Sequence, residues 1–233
     1  VLFVHATVHP ARVNALPPYG AEVRRGAGTY DDAVRAATQE AGTEGWLIAS
    51  DTSWPGYTEV PRDIMQGYRI MADEAADQWA GPPPTHVFIQ GGVGGVAAAV
   101  SVHMRARFTP VPKIVVVEPD RAACLLTSAE NGALTALDGD LDTVMAGLAC
   151  GEPSLLAWDE LSRSADAFMS IADETAREAV NLLADQGIVA CESGVAGLAG
   201  AILAAKERSS QILLGLGTES RVLTFNTEGA TGV

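Results

Sequence analysis

What this chain has little of narrows its class. Only two lysines occur, Lys113 and Lys206, and 29 acidic residues against 15 basic ones set a net charge of −14. A phosphate-backbone partner needs clustered Lys and Arg, so this balance argues against nucleic acid. The three cysteines, Cys124, Cys150 and Cys191, lie far apart with no CxxC or Cys/His ligand spacing. That excludes a structural zinc centre, and no metal ligand set is assigned. An odd number of scattered thiols fits a reducing cytoplasm. His5, His9, His86 and His103 form no triad or ligand pattern. No apolar run reaches the ~18 residues that cross a membrane. What is present is a chain of 233 residues, 48% hydrophobic, long enough for one large α/β domain or two small ones. It opens on Val1 rather than Met and enters at once a strand-like run, so N-terminal sequence is expected to be missing from it.

The pattern alternates strand and helix throughout, which predicts mainly parallel, twisted sheets flanked by helices. Strands are expected at 1–5, 21–24, 46–50, 86–90, 114–117, 168–171 and 222–225. Helices are expected within 10–16 and over 29–41, 60–79, 96–107, 121–129, 141–149, 155–163, 173–185 and 194–206. The run Asp51-Thr52-Ser53-Trp54-Pro55-Gly56-Tyr57 reads as a loop from its Pro-Gly content. The domain boundary is placed there. Residues 1–57 read as the remainder of a small α/β domain, and residues 58–233 as a larger ligand-binding one.

The most informative segment is Gln90-Gly91-Gly92-Val93-Gly94-Gly95, between an apolar β-like run and a helix-forming one. A strand feeding a glycine-rich turn that opens a helix is a way to hold a phosphate. Glycines let the backbone approach the anion, and the free amides and helix dipole favour its charge. A nicotinamide dinucleotide is one candidate, with Glu118 near the expected distance of about 20 residues for a ribose-binding acid. The spacing fails, because Ala97 stands where the third glycine belongs. A Walker loop fails too, for want of GK[ST].

The same loop, followed one helix later by Val115-Val116-Val117-Glu118-Pro119, resembles the second half of fold-type II pyridoxal phosphate (PLP) enzymes. More narrowly, five further segments resemble the diaminopropionate ammonia-lyase family, in order along essentially the whole chain. They are Ser50-Asp51-Thr52-Ser53-Trp54-Pro55-Gly56-Tyr57, Pro61-Arg62-Asp63-Ile64-Met65-Gln66-Gly67-Tyr68, Asp142-Thr143-Val144-Met145-Ala146-Gly147-Leu148-Ala149-Cys150-Gly151, Glu192-Ser193-Gly194-Val195-Ala196-Gly197 and Asn226-Thr227-Glu228-Gly229.

The resemblance implies that Gly91, Gly92, Val93, Gly94 and Gly95 hold the PLP phosphate through backbone amides. It implies that Asp51 faces a small amino acid substrate and moves the Cα proton, although a turn or cap role suits an Asp there as well. Thr227 is implied to hydrogen-bond the pyridine nitrogen, or else it satisfies turn backbone. Glu118 either reaches the cofactor site or caps the next helix. Trp54 and Tyr57 wall the pocket or pack their loop. Met65 and Tyr68 read as core residues, and Cys191 and Glu192 as cap or core. The implied activity is elimination of 2,3-diaminopropionate to pyruvate and ammonia by a cytoplasmic homodimer. Alternatives are a serine, threonine or hydroxyaspartate dehydratase, and a non-catalytic, lysine-less ligand-binding or assembly subunit.

One departure matters. The family's Ser-Phe-Lys type motif, which carries the Schiff-base lysine, is not in this sequence, and neither is its Asp-Gly-Asn-His-Gly type loop. Lys113 starts a strand and Lys206 ends a helix, so neither replaces it. The chain as written is expected to be a fragment that does not turn over substrate alone.

Overall fold

The computed structural model of the chain describes residues 1–6 and 8–230. Two parallel sheets form. The smaller pairs β1 (Leu2–Val4) with β2 (Val23–Arg25). Between them run α1 (Pro10–Asn14) and a single 3₁₀ turn, Pro17–Tyr19. After β2 comes α2 (Tyr30–Glu44). Its start is fixed locally: the Thr29 side chain accepts from the Asp32 amide, and the Asp32 carboxylate accepts from the Thr29 amide. This reciprocal box satisfies two of the donors that a helix start leaves open.

The long helix α3 (Glu59–Gln78) leads into the larger sheet. There β3 (His86–Gln90), α4 (Gly95–Arg107), β4 (Lys113–Pro119) and α5 (Cys124–Asn131) follow in turn. Then come α6 (Leu155–Ser164), β5 (Ala167–Ile171), α7 (Asp173–Ala184), α8 (Ala196–Lys206), α9 (Arg208–Leu214) and β6 (Val222–Thr224). The strand order is β5-β4-β3-β6, every pair parallel, with His86 opposite both Lys113 and Val222.

The central strands are buried on both faces, which is why they read as continuous apolar runs. Alternation still sorts their side chains. Val87, Ile89, Ile114 and Val116 pack with α3, α4 and α6, whereas Phe88, Val115 and Val117 pack with α7 and α8. The result is a three-layer α/β sandwich, with the carboxyl ends of its parallel strands along one rim.

Two expectations are corrected. Residues 46–50 form no strand: Leu47 is 87% exposed, and no strand pairs with the stretch among the described residues. The Tyr57 hydroxyl holds this extended stretch instead, donating to the Ile48 carbonyl and accepting from the Ser50 amide. Residues 141–149 carry only a 3₁₀ turn, Ala146–Leu148. Side chains capture the backbone there, since Asp173 accepts from the Val144 amide and Ser193 from the Gly147 amide, and such capture competes with helix. Helix α9 was not anticipated.

Candidate active site

A cavity of about 460 Å³ opens at the end of β3. The turn after that strand, the 146–150 segment, Asp51, Ser193, Thr227 and Glu228 line it. Gly94 holds the turn at φ +100°, a conformation that glycine takes without strain, and a Cβ there would stand 3.0 Å from that of Ala157. The chain then enters α4. The amides of Gly94, Gly95, Val96 and Ala97 find no acceptor among the described residues. Gly92, Val93, Gly94 and Gly95 all border the cavity. Four adjacent unclaimed donors at a helix start, in a turn without bulky side chains, fit a phosphate ester.

Gly91 stands apart from this group. It does not line the cavity, and its amide is taken by the Val117 carbonyl at 2.8 Å. A Cβ on it would meet Val116 and Leu125 at 2.8 and 2.9 Å, so this glycine lets the strand end pack. Glu118 also lies behind the wall. Its carboxylate is wholly buried and accepts from the Leu125 and Leu126 amides at 2.8 and 2.7 Å. It is the cap of α5, and it is removed from the cofactor-facing set. Burial pushes this carboxyl up to about 8, against the two amides that pull it down.

Asp51 lines the cavity beside the turn, its carbonyl 3.8 Å from where a Gly95 Cβ would stand. The Tyr68 hydroxyl, reaching over from α3, donates to its Oδ2 at 3.0 Å. Sequence reasoning placed Tyr68 in the core. Its ring does pack near the start of α4, 3.7 Å from where a Gly95 Cβ would stand, but its hydroxyl aims the carboxylate. Burial first, and Asp51 second, push that phenol up to about 12, so it stays a donor at neutral pH. Tyr30 also borders the cavity, and burial followed by the Asp51 charge raises its phenol.

At the far end Thr227 and Gln90 meet. The Gln90 Nε2 lies 2.6 Å from Thr227 Oγ1 and shares its two hydrogens among that oxygen and the Gly194 and Phe225 carbonyls. Glu228 beside them accepts from the Cys191 thiol and pairs with Arg12 of α1 at 2.8 Å. Gln90, Ser193 and Glu228 were not singled out from sequence, although each sits in a segment quoted for the resemblance. Cys150, also on the wall, is a buried thiol held protonated by burial and then by Asp31 and Asp51. Trp54 and Tyr57 stack on each other at 4.2 Å and stay outside this cavity. Lys113 donates to the Leu214 carbonyl from the start of β4, and Lys206 ends α8, so neither reaches the cavity.

Comparison with known proteins fits this geometry. A diaminopropionate ammonia-lyase of Escherichia coli K12 is 40% identical over 235 residues, covering 95% of this chain and 58% of the enzyme. The Salmonella typhimurium protein of that name is 37% identical, again spanning 58% of its length. The crystal structure of the Escherichia coli enzyme in complex with an aminoacrylate–PLP azomethine reaction intermediate superposes with a TM-score of 0.91 at 36% identity. That match covers 99% of this chain and 62% of the crystallised one. The chain thus spans under two thirds of the length of these relatives. Residues 1–216 match the family of pyridoxal-phosphate dependent enzymes, and the chain belongs to that family.

Proposed function

We propose that this chain forms the greater part of a PLP-dependent ammonia-lyase that eliminates ammonia from 2,3-diaminopropionate and yields pyruvate. The observation that carries the proposal is the placement of Asp51. Its carboxylate and the amide-rich turn border one cavity, and a tyrosine on a separate helix orients it.

When bound, PLP supplies an electron sink for bond breaking at the substrate's Cα. The remaining roles fall to this chain. The amides of residues 94–97 hold the phosphate, and Gly92 and Val93 line the turn beside it. Asp51 takes the proton from Cα and can return one to the departing amine. The Thr227 hydroxyl hydrogen-bonds the ring nitrogen without charging it. The 146–150 segment and Asp51 wall the site. No lysine faces the cavity, so we assign the Schiff-base lysine to polypeptide outside these 233 residues. This accords with the greater length of the relatives. Residues 1–57 are proposed as part of a small unit and residues 58–233 as the cofactor-binding unit. The three thiols are unbridged, in keeping with a cytoplasmic setting, and the homodimer implied by the resemblance completes the proposal.

The test uses the full-length gene product. Diaminopropionate is expected to shift its cofactor absorbance and release pyruvate, faster than serine, threonine or hydroxyaspartate do. A product with no cofactor absorbance overturns the proposal. Faster turnover of a hydroxy amino acid replaces it with a dehydratase.

A further inference from the structure

Gln90 is the last residue of β3, and its side chain is buried at the inner end of the cavity. Its Nε2 has two hydrogens for three oxygens, the Gly194 carbonyl at 3.1 Å, the Phe225 carbonyl at 3.2 Å and Thr227 Oγ1 at 2.6 Å; the shortest contact takes one hydrogen, and the two carbonyls share the other. Two of these are carbonyls, which only accept. The amide therefore cannot be turned over, because that would press its oxygen against both of them. In the orientation that remains, Oε1 is buried without a hydrogen-bond partner. An orphaned buried acceptor costs free energy, so something offsets it.

The consequence falls on Thr227. A hydroxyl has one hydrogen and accepts through its lone pairs. Gln90 already donates to this oxygen, so the hydroxyl hydrogen must point elsewhere. No other residue among those described receives it, and Thr227 itself lines the cavity. We propose that Gln90 is a positioning residue that fixes the Thr227 hydroxyl as a donor into the cavity, selecting a ligand with an uncharged aromatic nitrogen acceptor there. The inference rests on the PLP reading above and extends it from Thr227 to the residue that orients Thr227. A protonated ring nitrogen would take the hydroxyl's second lone pair and leave its hydrogen without an acceptor, so the same arrangement disfavours the charged ring.

The experiment compares binding of PLP with that of its 1-deaza analogue, in which C–H replaces the ring nitrogen. Tryptophan fluorescence of the full-length protein, freed of cofactor, reports both. The wild type is expected to favour PLP by about tenfold, the scale of one buried neutral hydrogen bond. Gln90→Met is expected to reduce that ratio to about twofold or less, as is Thr227→Val, and the double variant should lose no more than either alone. A residue that merely props the wall would weaken both ligands equally and leave the ratio unchanged. That result overturns the proposal. Should Gln90→Met fail to fold, Gln90→Asn keeps an amide too short to reach the hydroxyl. Loss of the ratio in that variant supports the assignment, and its retention overturns it. Failure of wild-type protein to bind PLP at all sinks the underlying reading instead.

Discussion

At the residue scale the proposed chemistry rests on the Asp51 carboxylate and on the Tyr68 hydroxyl bonded to it. Asp51→Asn should lower turnover of the full-length enzyme by about 10²–10⁴-fold, the usual contribution of a positioned acid–base group. PLP affinity should change little, because the proposed phosphate site lies on another loop; a comparable loss of binding would deny Asp51 its proton-transfer role. Tyr68→Phe removes one hydrogen bond and is expected to cost about tenfold in kcat with KM little altered. Glu118 makes a separate prediction. Its folded value, about 8, lies above the ordinary carboxyl range, so between that range and pH 8 the native state holds a proton that the unfolded chain has released. Stability from this group is therefore complete in acid and falls as pH rises through about 8. Melting temperatures measured from pH 5 to pH 8 should decline, and Glu118→Gln, which removes the titrating group although its NH2 replaces one acceptor of the two amides, should flatten the decline. An identical slope in both proteins would show that this carboxyl does not drive it.

At the element scale the turn after β3 and the packing of α8 carry the architecture. Gly94→Ala forces a side chain into the left-handed region and towards Ala157. It should destabilise the protein by about 1–3 kcal/mol and weaken phosphate binding by tenfold or more. Urea unfolding and phosphate competition against PLP measure the two effects. Gly197 in α8 would set a Cβ 2.7 Å from the Phe88 carbonyl, so this helix sits on β3 only because the residue has none. Local pattern announced most of these elements. The β3 run, its glycine turn and the helix after it follow from alternation and composition. The failures share a cause. Residues 46–50 have strand-like side chains but no strand to pair with, and residues 141–149 have helical spacing but lose their backbone groups to Asp173 and Ser193. Neither partner is close in sequence, so no local rule could reveal them.

At the scale of the whole molecule, long-range hydrogen bonds tie the small sheet's helix to the cavity wall. Asp31, near the start of α2, is buried and accepts from the Gly151 amide at 2.9 Å. Burial, the largest influence, raises its carboxyl above the ordinary range. Ser53 and Ser154 pair at 2.7 Å across another long sequence separation. Asp31→Ala leaves the Gly151 amide without its partner and is expected to cost about 1–3 kcal/mol. At about 2–4 °C per kcal/mol for a chain of this size, a fall of several degrees in melting temperature checks it. Arg35 meets Glu152 close by, but both are half exposed, and removing that pair should change stability by less than about 1 kcal/mol.

The sequence by itself determined the parallel α/β class, the amide-rich turn and the order of segments that resembles the lyase family. Each of these is written in residues adjacent along the chain: apolar alternation, helix spacing and glycines at a strand end. Only the tertiary structure separated Gly92–Gly95 from Gly91, moved Glu118 from the site to a helix cap, and brought Tyr68 to Asp51 and Gln90 to Thr227. Those outcomes turn on which buried donor meets which acceptor. Residues far apart in sequence supply such partners, and only the packed sheet brings them within bonding distance.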